Sequence, residues 1–237
     1  MQKIKLFCLP YAGGTAMIYS SWKKNLHSEI ELFPIELAGR GKRCKEPFYS
    51  NVYEAVDDIY NAIKDELDGT SFAFYGHSMG TVLVYELIYK IKELMNLEPV
   101  YAFFSGRYPP QVKKTEKFCY KMPENEFIQE IRSLGGTPEE FFENRELMEI
   151  FLPILRADYM LIELYNHAPK PGKLGMGITV FNGKQDNYVT PDDLEEWQYI
   201  TSGKCEVIEF DGGHFFIFDN QKEIISVIND KLLTVSL

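Results

Sequence analysis

The stretch that most constrains this chain reads Gly-x-Ser-x-Gly and occupies residues 76–80. An apolar, β-prone segment at residues 71–75 precedes it, and residues 81–95 carry apolar side chains at helical spacing. A strand, a tight turn and a helix form the context that holds a serine in a strained conformation with its hydroxyl above a sheet. Side chains in place of either glycine would clash at so tight a turn. The pattern therefore predicts a nucleophile elbow with Ser78 at its apex.

Size and composition restrict the classes of protein to which the chain can belong. A length of 237 residues suits one large α/β domain, and a hydrophobic fraction of 45% argues against disorder. The net charge of -10 disfavours nucleic acid as a general partner. The chain has no apolar run of membrane-spanning length and no signal-peptide core, so we expect a cytoplasmic protein without membrane contact. The scattered cysteines (Cys8, Cys44, Cys119 and Cys205) predict reduced thiols and no metal site.

Short apolar runs alternate with amphipathic segments along much of the sequence. Strands are predicted over residues 4–9, 31–37, 71–75, 100–105, 178–182 and 205–210, and helices over residues 16–26, 51–67, 79–95, 191–199 and 221–233. Such alternation is typical of α/β proteins, whose chemistry lies in loops at the carboxyl ends of parallel strands. We therefore expect a single α/β domain over residues 1–237, with a mostly parallel sheet flanked by helices.

The alternation stops between about residues 107 and 176. This segment is helical in character and rich in aromatic residues, with turn signals at residues 135–136 and 169–172. It is too long for a simple connecting loop, so we interpret it as an inserted helical lid. Each aromatic residue alone is more typical of packing than of ligand contact, but together they suit an apolar acyl pocket.

A serine nucleophile needs a base, and the base needs an acid that fixes its tautomer. His214 follows the last predicted strand in a glycine-rich loop, which is where the base of an elbow hydrolase is expected. Asp186 follows the preceding strand and is our choice of acid. The competing acids are Asp158 in the lid, Asp192 and Asp193 at a helix start, and Asp211 beside the base. The other histidines are interpreted as structural: His27 on a surface helix, His77 at the elbow and His167 in the lid.

The loop after the first strand, at residues 10–14, contains two glycines. It lacks the Gly-x-Gly-x-x-Gly and Gly-Lys-Ser/Thr patterns of nucleotide sites. Elbow hydrolases take one oxyanion-hole N–H from such a loop and the other from the residue after the nucleophile. We predict Ala12 and Met79 as these donors, with Tyr11 as an alternative to Ala12 and a plain loop as the structural alternative.

A second glycine-punctuated loop, at residues 38–45, is basic in an otherwise acidic protein. It suits contact with a phosphate or an acidic partner, and it suits a solvated turn equally well.

Several motifs occur in an order that resembles the type II thioesterases of nonribosomal peptide and polyketide synthesis. They are Leu9-Pro10-Tyr11-Ala12-Gly13-Gly14, Gly-Arg-Gly-x-Arg at Gly39 to Arg43, Gly76-His77-Ser78-Met79-Gly80, Leu155-Arg156-Ala157-Asp158-Tyr159, Gly183-x-x-Asp186 with Trp197 downstream, and Gly212-Gly213-His214-Phe215-Phe216. The resemblance covers nearly the whole chain. One departure is Ala38, where the family more often has proline, and it affects only the stiffness of that loop.

The resemblance implies an α/β-hydrolase fold with a mobile helical lid. It implies a discrete, trans-acting enzyme that hydrolyses acyl groups from the phosphopantetheine arm of carrier proteins by way of an acyl-serine. No metal or cofactor is expected, and a monomer is the default. Because carrier proteins are usually acidic, a local basic patch would have to dock them. The candidate patches are Arg40, Lys42 and Arg43, or Lys113, Lys114 and Lys117.

Two further functions fit the same residues. One is a general carboxylesterase or a thioesterase acting on medium-chain fatty acyl groups carried by acyl carrier protein or coenzyme A. The other, of a different class, is a non-catalytic protein that binds synthetase modules. The presence of serine, acid and histidine in this order argues against the non-catalytic alternative.

Overall fold

A computed structural model describes residues 3–67, 69–114, 117–137 and 139–235. Six strands form one sheet: β1 (Ile4–Leu9), β2 (Ile30–Pro34), β3 (Phe72–His77), β4 (Tyr101–Ser105), β5 (Gly177–Gly183) and β6 (Cys205–Phe210). The order across the sheet is β2-β1-β3-β4-β5-β6, and every neighbouring pair is parallel. The predicted parallel sheet is therefore confirmed, with β3 and the elbow near its centre.

The α-helices of the described residues are α1 (Val52–Ile63), α2 (Met79–Met95), α3 (Glu124–Leu134), α4 (Glu139–Glu143), α5 (Arg145–Glu163), α6 (Pro191–Glu195) and α7 (Gln221–Thr234). Helix α1 shows how local sequence sets an element. The side chain of Asn51 accepts the Glu54 N–H at its start, and the buried positions recur every three or four residues at Val52, Ala55, Val56, Ile59 and Ile63.

The helix predicted over residues 16–26 differs from the expectation. Ala16–Lys24 is a 3-10 helix, in which Tyr19 and Trp22 are the buried side chains. Their separation of three residues matches the three-residue turn of a 3-10 helix, so both rings face the sheet. His27, predicted on this helix, lies beyond its end and is exposed.

The sheet is buried on both faces, as expected for parallel strands covered by helices. Successive residues of β1 alternate between the two sides: Phe7 and Leu9 pack with α1 and α2, while Leu6 and Cys8 pack with α7. Every residue of β3 is buried. The elbow therefore follows a fully buried strand, where its backbone has little room to relax.

The predicted lid lies between β4 and β5. Its described residues form α3, α4, α5 and a short 3-10 helix, while positions 115, 116 and 138 of the predicted segment lie outside the described residues. The lid has a small core of its own, which includes Phe127, Ile131 and Leu155. Leu161 and Ile162 at the end of α5 belong to the main core, so that end of the helix is packed against the sheet domain.

No helix among the described residues combines the length and the apolar character needed to cross a bilayer.

Candidate active site

Ser78 connects β3 to α2 in a conformation that side chains rarely adopt. Its φ is 53° and its ψ is -111°, and its N–H donates to the Ser105 carbonyl oxygen over 2.7 Å. A Cβ on Gly76 would overlap the carbonyl oxygen of Gly80, and a Cβ on Gly80 would overlap that of Leu9 in β1. Both glycines of the motif are therefore required by backbone contacts. The predicted elbow geometry is present.

His214 joins the predicted nucleophile to the predicted acid. Its Nε2 lies 3.0 Å from Ser78 Oγ, and its Nδ1 lies 2.8 Å from Asp186 Oδ2. The other carboxylate oxygen of Asp186 accepts the Tyr188 N–H over 2.9 Å. His214 is 7% exposed and Asp186 is 6% exposed. The fold thus brings all three predicted residues into one hydrogen-bonded chain, although Ser78 and His214 are 136 positions apart in sequence.

Close backbone contact between two loops sets the distance from acid to base. Asp186 follows β5 and His214 follows β6, and these strands are neighbours in the sheet. A Cβ on Gly183 would overlap the carbonyl oxygen of Gly213, and the Gln185 N–H donates to the Gly212 carbonyl over 3.0 Å. The glycine at the end of β5 therefore lets the loop bearing the acid reach the loop bearing the base.

The competing carboxylates have other partners or lie in solvent. Asp211 is exposed and pairs with Lys184, while Asp192 is exposed at the start of α6. Asp193 forms a capping box with Thr190, which is the structural role expected for it.

His77 is the second histidine of the site, although its ring does not contact Ser78. Its Nδ1 lies 2.8 Å from Ser105 Oγ, and its ring centroid lies 5.2 Å from that of His214. The side chain is fully buried. Burial, followed by the proximity of His214, holds the pKa of His77 well below its ordinary value of 6.5. His77 is therefore a neutral ring that packs beside the base.

The predicted oxyanion donors border the same cavity as Ser78. Ala12 and Met79 both line it, and the Met79 N–H lies at the amino end of α2, where the helix dipole favours negative charge. The side chain of Tyr11, the alternative donor position, packs edge-on against Phe215 and His77. The role of these N–H groups stays a prediction.

The cavity has a volume of about 460 Å³ and is enclosed mainly by the lid. Ser78 and His214 lie in its wall with Ala12 and Met79. Most of the remaining wall is apolar and includes Ile131, Leu134, Phe141, Phe151, Leu155 and Ile162. Such a cavity has the size and the lining of a small-molecule site, and it suits an acyl chain.

One of the basic residues proposed for docking is buried, which corrects the sequence interpretation for that residue. Arg40 is 1% exposed and pairs with Asp158, so it is unavailable to a partner. Arg43 pairs with Asp58 over 2.7 Å, and the lid residues Lys114 and Lys117 pair with acids over 2.5 Å each. Lys42, Lys113 and Lys117 are exposed.

Sequence reasoning missed the buried pair of Arg40 and Asp158. The sequence places Arg40 in a loop that suits docking and offers Asp158 only as a competing acid. The available signal was that both belong to the motifs quoted for the resemblance and carry opposite charges. Nothing in the local sequence showed that they would meet across 118 positions.

Comparisons with known proteins indicate the family to which the chain belongs. The Thioesterase domain family matches residues 4–232. The gramicidin S biosynthesis protein GrsT of Aneurinibacillus migulanus is 38% identical over 233 residues, which is 98% of this chain and 90% of that protein. The medium-chain S-acyl fatty acid synthase thioesterase of Rattus norvegicus is 32% identical over 230 residues, which is 94% of this chain and 86% of that protein.

A solved structure shows the same architecture. The crystal structure of ClbQ from the colibactin NRPS/PKS pathway aligns with a TM-score of 0.95 and 36% identity, covering 99% of each chain. The neighbours in structure are thioesterases, which confirms the α/β-hydrolase fold expected from the sequence. Because the family match spans nearly all of the chain, the protein belongs to the thioesterase domain family and is a thioester hydrolase.

Proposed function

We propose that this thioesterase removes acyl or aminoacyl groups from the phosphopantetheine arm of carrier proteins in nonribosomal peptide or polyketide synthesis. Two relatives support this pathway: one is named for gramicidin S biosynthesis, and the other comes from the colibactin NRPS/PKS pathway. The observation that carries the chemistry is the 3.0 Å separation of His214 Nε2 and Ser78 Oγ at the edge of an apolar cavity.

In the proposed acylation step, Ser78 Oγ attacks the thioester carbonyl carbon while its proton passes to His214 Nε2. Asp186 accepts from His214 Nδ1, fixes that tautomer and stabilises the imidazolium that forms. The N–H groups of Ala12 and Met79 stabilise the oxyanion; loss of one such donor typically costs about 3–4 kcal/mol of the barrier. Collapse of the tetrahedral intermediate breaks the C–S bond, and His214 returns the proton to the departing thiolate.

Deacylation repeats these steps with water as the nucleophile. His214 takes a proton from the water as it attacks the acyl-serine carbonyl, and then gives that proton to Ser78 Oγ as the free acid leaves. Because side chains carry every proton transfer in this scheme, no cofactor enters it, and the pantetheine belongs to the substrate.

Carrier docking in this proposal involves the exposed lysines at the carboxyl edge of the sheet. Lys42 is two residues from Arg40, which donates to the Gly14 carbonyl oxygen, and Lys113 adjoins Lys114 in the cavity wall, so both lysines lie near the site. With a net charge of -10 the protein gains no long-range attraction to an acidic carrier, so docking depends on such local charges.

A second candidate function is a medium-chain fatty acyl thioesterase. The 32% identity to the rat medium-chain fatty acid synthase thioesterase, together with the apolar lining of the cavity, favours it. A general carboxylesterase would use the same three residues on oxygen esters.

The experiment that separates these functions presents one acyl group on three leaving groups: a carrier-protein pantetheine, coenzyme A and an oxygen ester. We expect kcat/KM to be highest for the carrier substrate by about tenfold or more, equivalent to about 1.4 kcal/mol. Equal or higher kcat/KM for the coenzyme A thioester, with a preference for C8–C12 chains, would support the fatty acyl function instead. Preference for the oxygen ester would support an esterase.

A further inference from the structure

The carboxylate of Asp158 is bonded to the loop that carries the predicted oxyanion donor. Asp158 lies on the lid helix α5, is 1% exposed, and accepts the Gly13 N–H through Oδ2 over 2.7 Å. The same oxygen accepts from Arg40 Nη1 over 2.5 Å, and Oδ1 accepts from Nη2 over 2.6 Å. A residue of the lid thus fixes a backbone group of the site across 145 positions.

Arg40 also makes a hydrogen bond to the same loop. Its Nη1 also donates to the Gly14 carbonyl oxygen over 3.3 Å. The Gly14 N–H donates to the Tyr11 carbonyl over 2.9 Å and closes the turn. The ion pair is therefore hydrogen-bonded to two consecutive residues of this turn: the N–H of Gly13 and the C=O of Gly14.

These bonds leave one N–H of the turn available. The N–H groups of Gly13 and Gly14 are engaged by Asp158 and Tyr11, and no described residue accepts a hydrogen bond from the Ala12 N–H. The Ala12 N–H belongs to the Tyr11–Ala12 peptide, whose carbonyl oxygen accepts the Gly14 N–H. Because Asp158 holds Gly13 and Arg40 holds Gly14, the ion pair sets the geometry of the turn that orients this peptide and its N–H.

The lid helix also packs directly on this turn. Gly13 has a φ of +82°, and a Cβ there would lie 2.7 Å from Leu155 Cδ2 and 3.0 Å from Phe151 Cε2. Leu155, Phe151 and Asp158 all line the cavity. One helix therefore encloses the acyl cavity and holds the turn beside Ser78.

We infer that Asp158, paired with Arg40, is a positioning residue for the oxyanion hole. It fixes the Ala12 N–H toward the oxyanion only when α5 is packed in place, so enclosure of the acyl group and assembly of the hole occur together. Stability alone does not account for the pair, because desolvation of a buried ion pair largely offsets its attraction, and apolar residues of similar volume often replace such pairs at no cost in stability. The inference rests on the proposed function of Ser78 and Ala12.

The test compares Asp158→Asn with wild type on a small acyl thioester that needs no carrier docking. A displaced donor lowers kcat by about 10-fold to 100-fold with KM changed by less than about threefold, because the lost interaction forms only in the transition state. Affinity for a trifluoromethyl ketone, which forms a tetrahedral adduct with Ser78, falls in parallel. Affinity for the matching non-reactive methylene analogue stays at the wild-type value.

Glu86→Gln is the matched control. Glu86 is also a buried carboxylate and pairs with Lys170, while Tyr165 donates to it over 2.6 Å, so the bonds it makes do not involve the 11–14 turn. It keeps the wild-type kcat and ketone affinity. A loss of kcat equal to that of Asp158→Asn would overturn the inference, because any broken buried pair would then have the same effect.

The double variant Arg40→Met/Asp158→Leu tests the inference if Asp158→Asn does not fold. It removes both charges together, a change that buried pairs often tolerate. The inference predicts a folded protein by thermal melt with the same selective loss of kcat and ketone affinity. A folded double variant with wild-type kcat would overturn it. If Ser78→Ala itself retains turnover, the proposed function fails before this inference is reached.

Discussion

Gly183 and Gly213 meet backbone to backbone at the carboxyl ends of β5 and β6, where a methyl group on Gly183 would overlap the Gly213 carbonyl oxygen. This contact lies between the loop that bears Asp186 and the loop that bears His214. The hydrogen bond that His214 donates to Asp186 therefore requires a residue without a side chain three positions before the acid.

Gly183→Ala is expected to separate the two loops and weaken the hydrogen bond that His214 donates to Asp186. Because a misplacement of about 1 Å can cost about 100-fold in rate, we expect kcat to fall at least about tenfold. Steady-state hydrolysis of a small acyl thioester measures the effect.

Gly213→Ala is the matched control for this prediction. A Cβ on Gly213 would have its nearest neighbour, the Gln185 carbonyl oxygen, at 3.8 Å, which is ordinary contact. We expect a kcat within about twofold of wild type, because surface substitutions without a clash usually change free energies by under about 0.5 kcal/mol. Equal losses in both variants would show that backbone contact at Gly183 is not what sets the geometry.

The lowered pKa of His77 predicts one component of the pH dependence of stability. Because its pKa in the folded protein lies well below 6.5, the unfolded chain binds a proton in acid that the folded chain does not. The contribution of His77 to the free energy of unfolding is therefore fully present above pH 6.5, and it is lost as the pH drops below that value. Lowering the pH from 7.5 to 5.5 therefore reduces the free energy of unfolding by on the order of 1 kcal/mol through this one group.

The variant His77→Asn keeps a polar partner for Ser105 and removes the titrating ring. Its absolute stability is lower because it leaves a space in the core, but the difference in unfolding free energy between pH 7.5 and 5.5 becomes smaller than in wild type. Urea denaturation at both pH values measures this difference. His27→Asn, at an exposed position, serves as the control. An undiminished pH dependence in His77→Asn would contradict the assignment of a buried neutral ring.

Carrier docking through exposed lysines predicts a change in KM that depends on the substrate. We expect Lys42→Glu and Lys113→Glu each to raise KM for an acyl-carrier substrate by about threefold to tenfold, and more at low salt, because charges at a rim act mainly on association. KM for a small acyl thioester is expected to stay unchanged. Lys3→Glu, just before β1 at the opposite edge of the sheet, is the control. Equal effects on both substrates would remove the docking proposal.

Much of the architecture could be predicted because buried parallel strands leave a strong local signal. The boundaries of Ile4–Leu9 and Cys205–Phe210 match the prediction residue for residue, and the elbow follows from the glycines that backbone contacts require. The helix over 16–26 was wrong in type. Helical spacing alone does not distinguish a turn of 3.6 residues from one of three when Tyr19 and Trp22 are the buried pair.

The environment of Arg40 could not be predicted from its neighbours in sequence. A basic residue between Gly39 and Gly41 is typical of an exposed turn, and local patterning supports that interpretation. Its burial follows from a contact with Asp158, which lies on the lid helix of a segment that breaks the alternation of strands and helices. Contacts between an insertion and the sheet domain are set by packing of the whole fold, which no single window of sequence contains.

The most direct test of the account is the hydrolysis of an acyl thioester by wild type and Ser78→Ala, with labelling by a fluorophosphonate analysed by peptide mass spectrometry. We predict one adduct, on the peptide that contains Ser78. We also predict that Ser78→Ala loses nearly all turnover, by about 1,000-fold or more. Wild-type turnover in Ser78→Ala, or an adduct on another residue with Ser78 unmodified, would contradict the account.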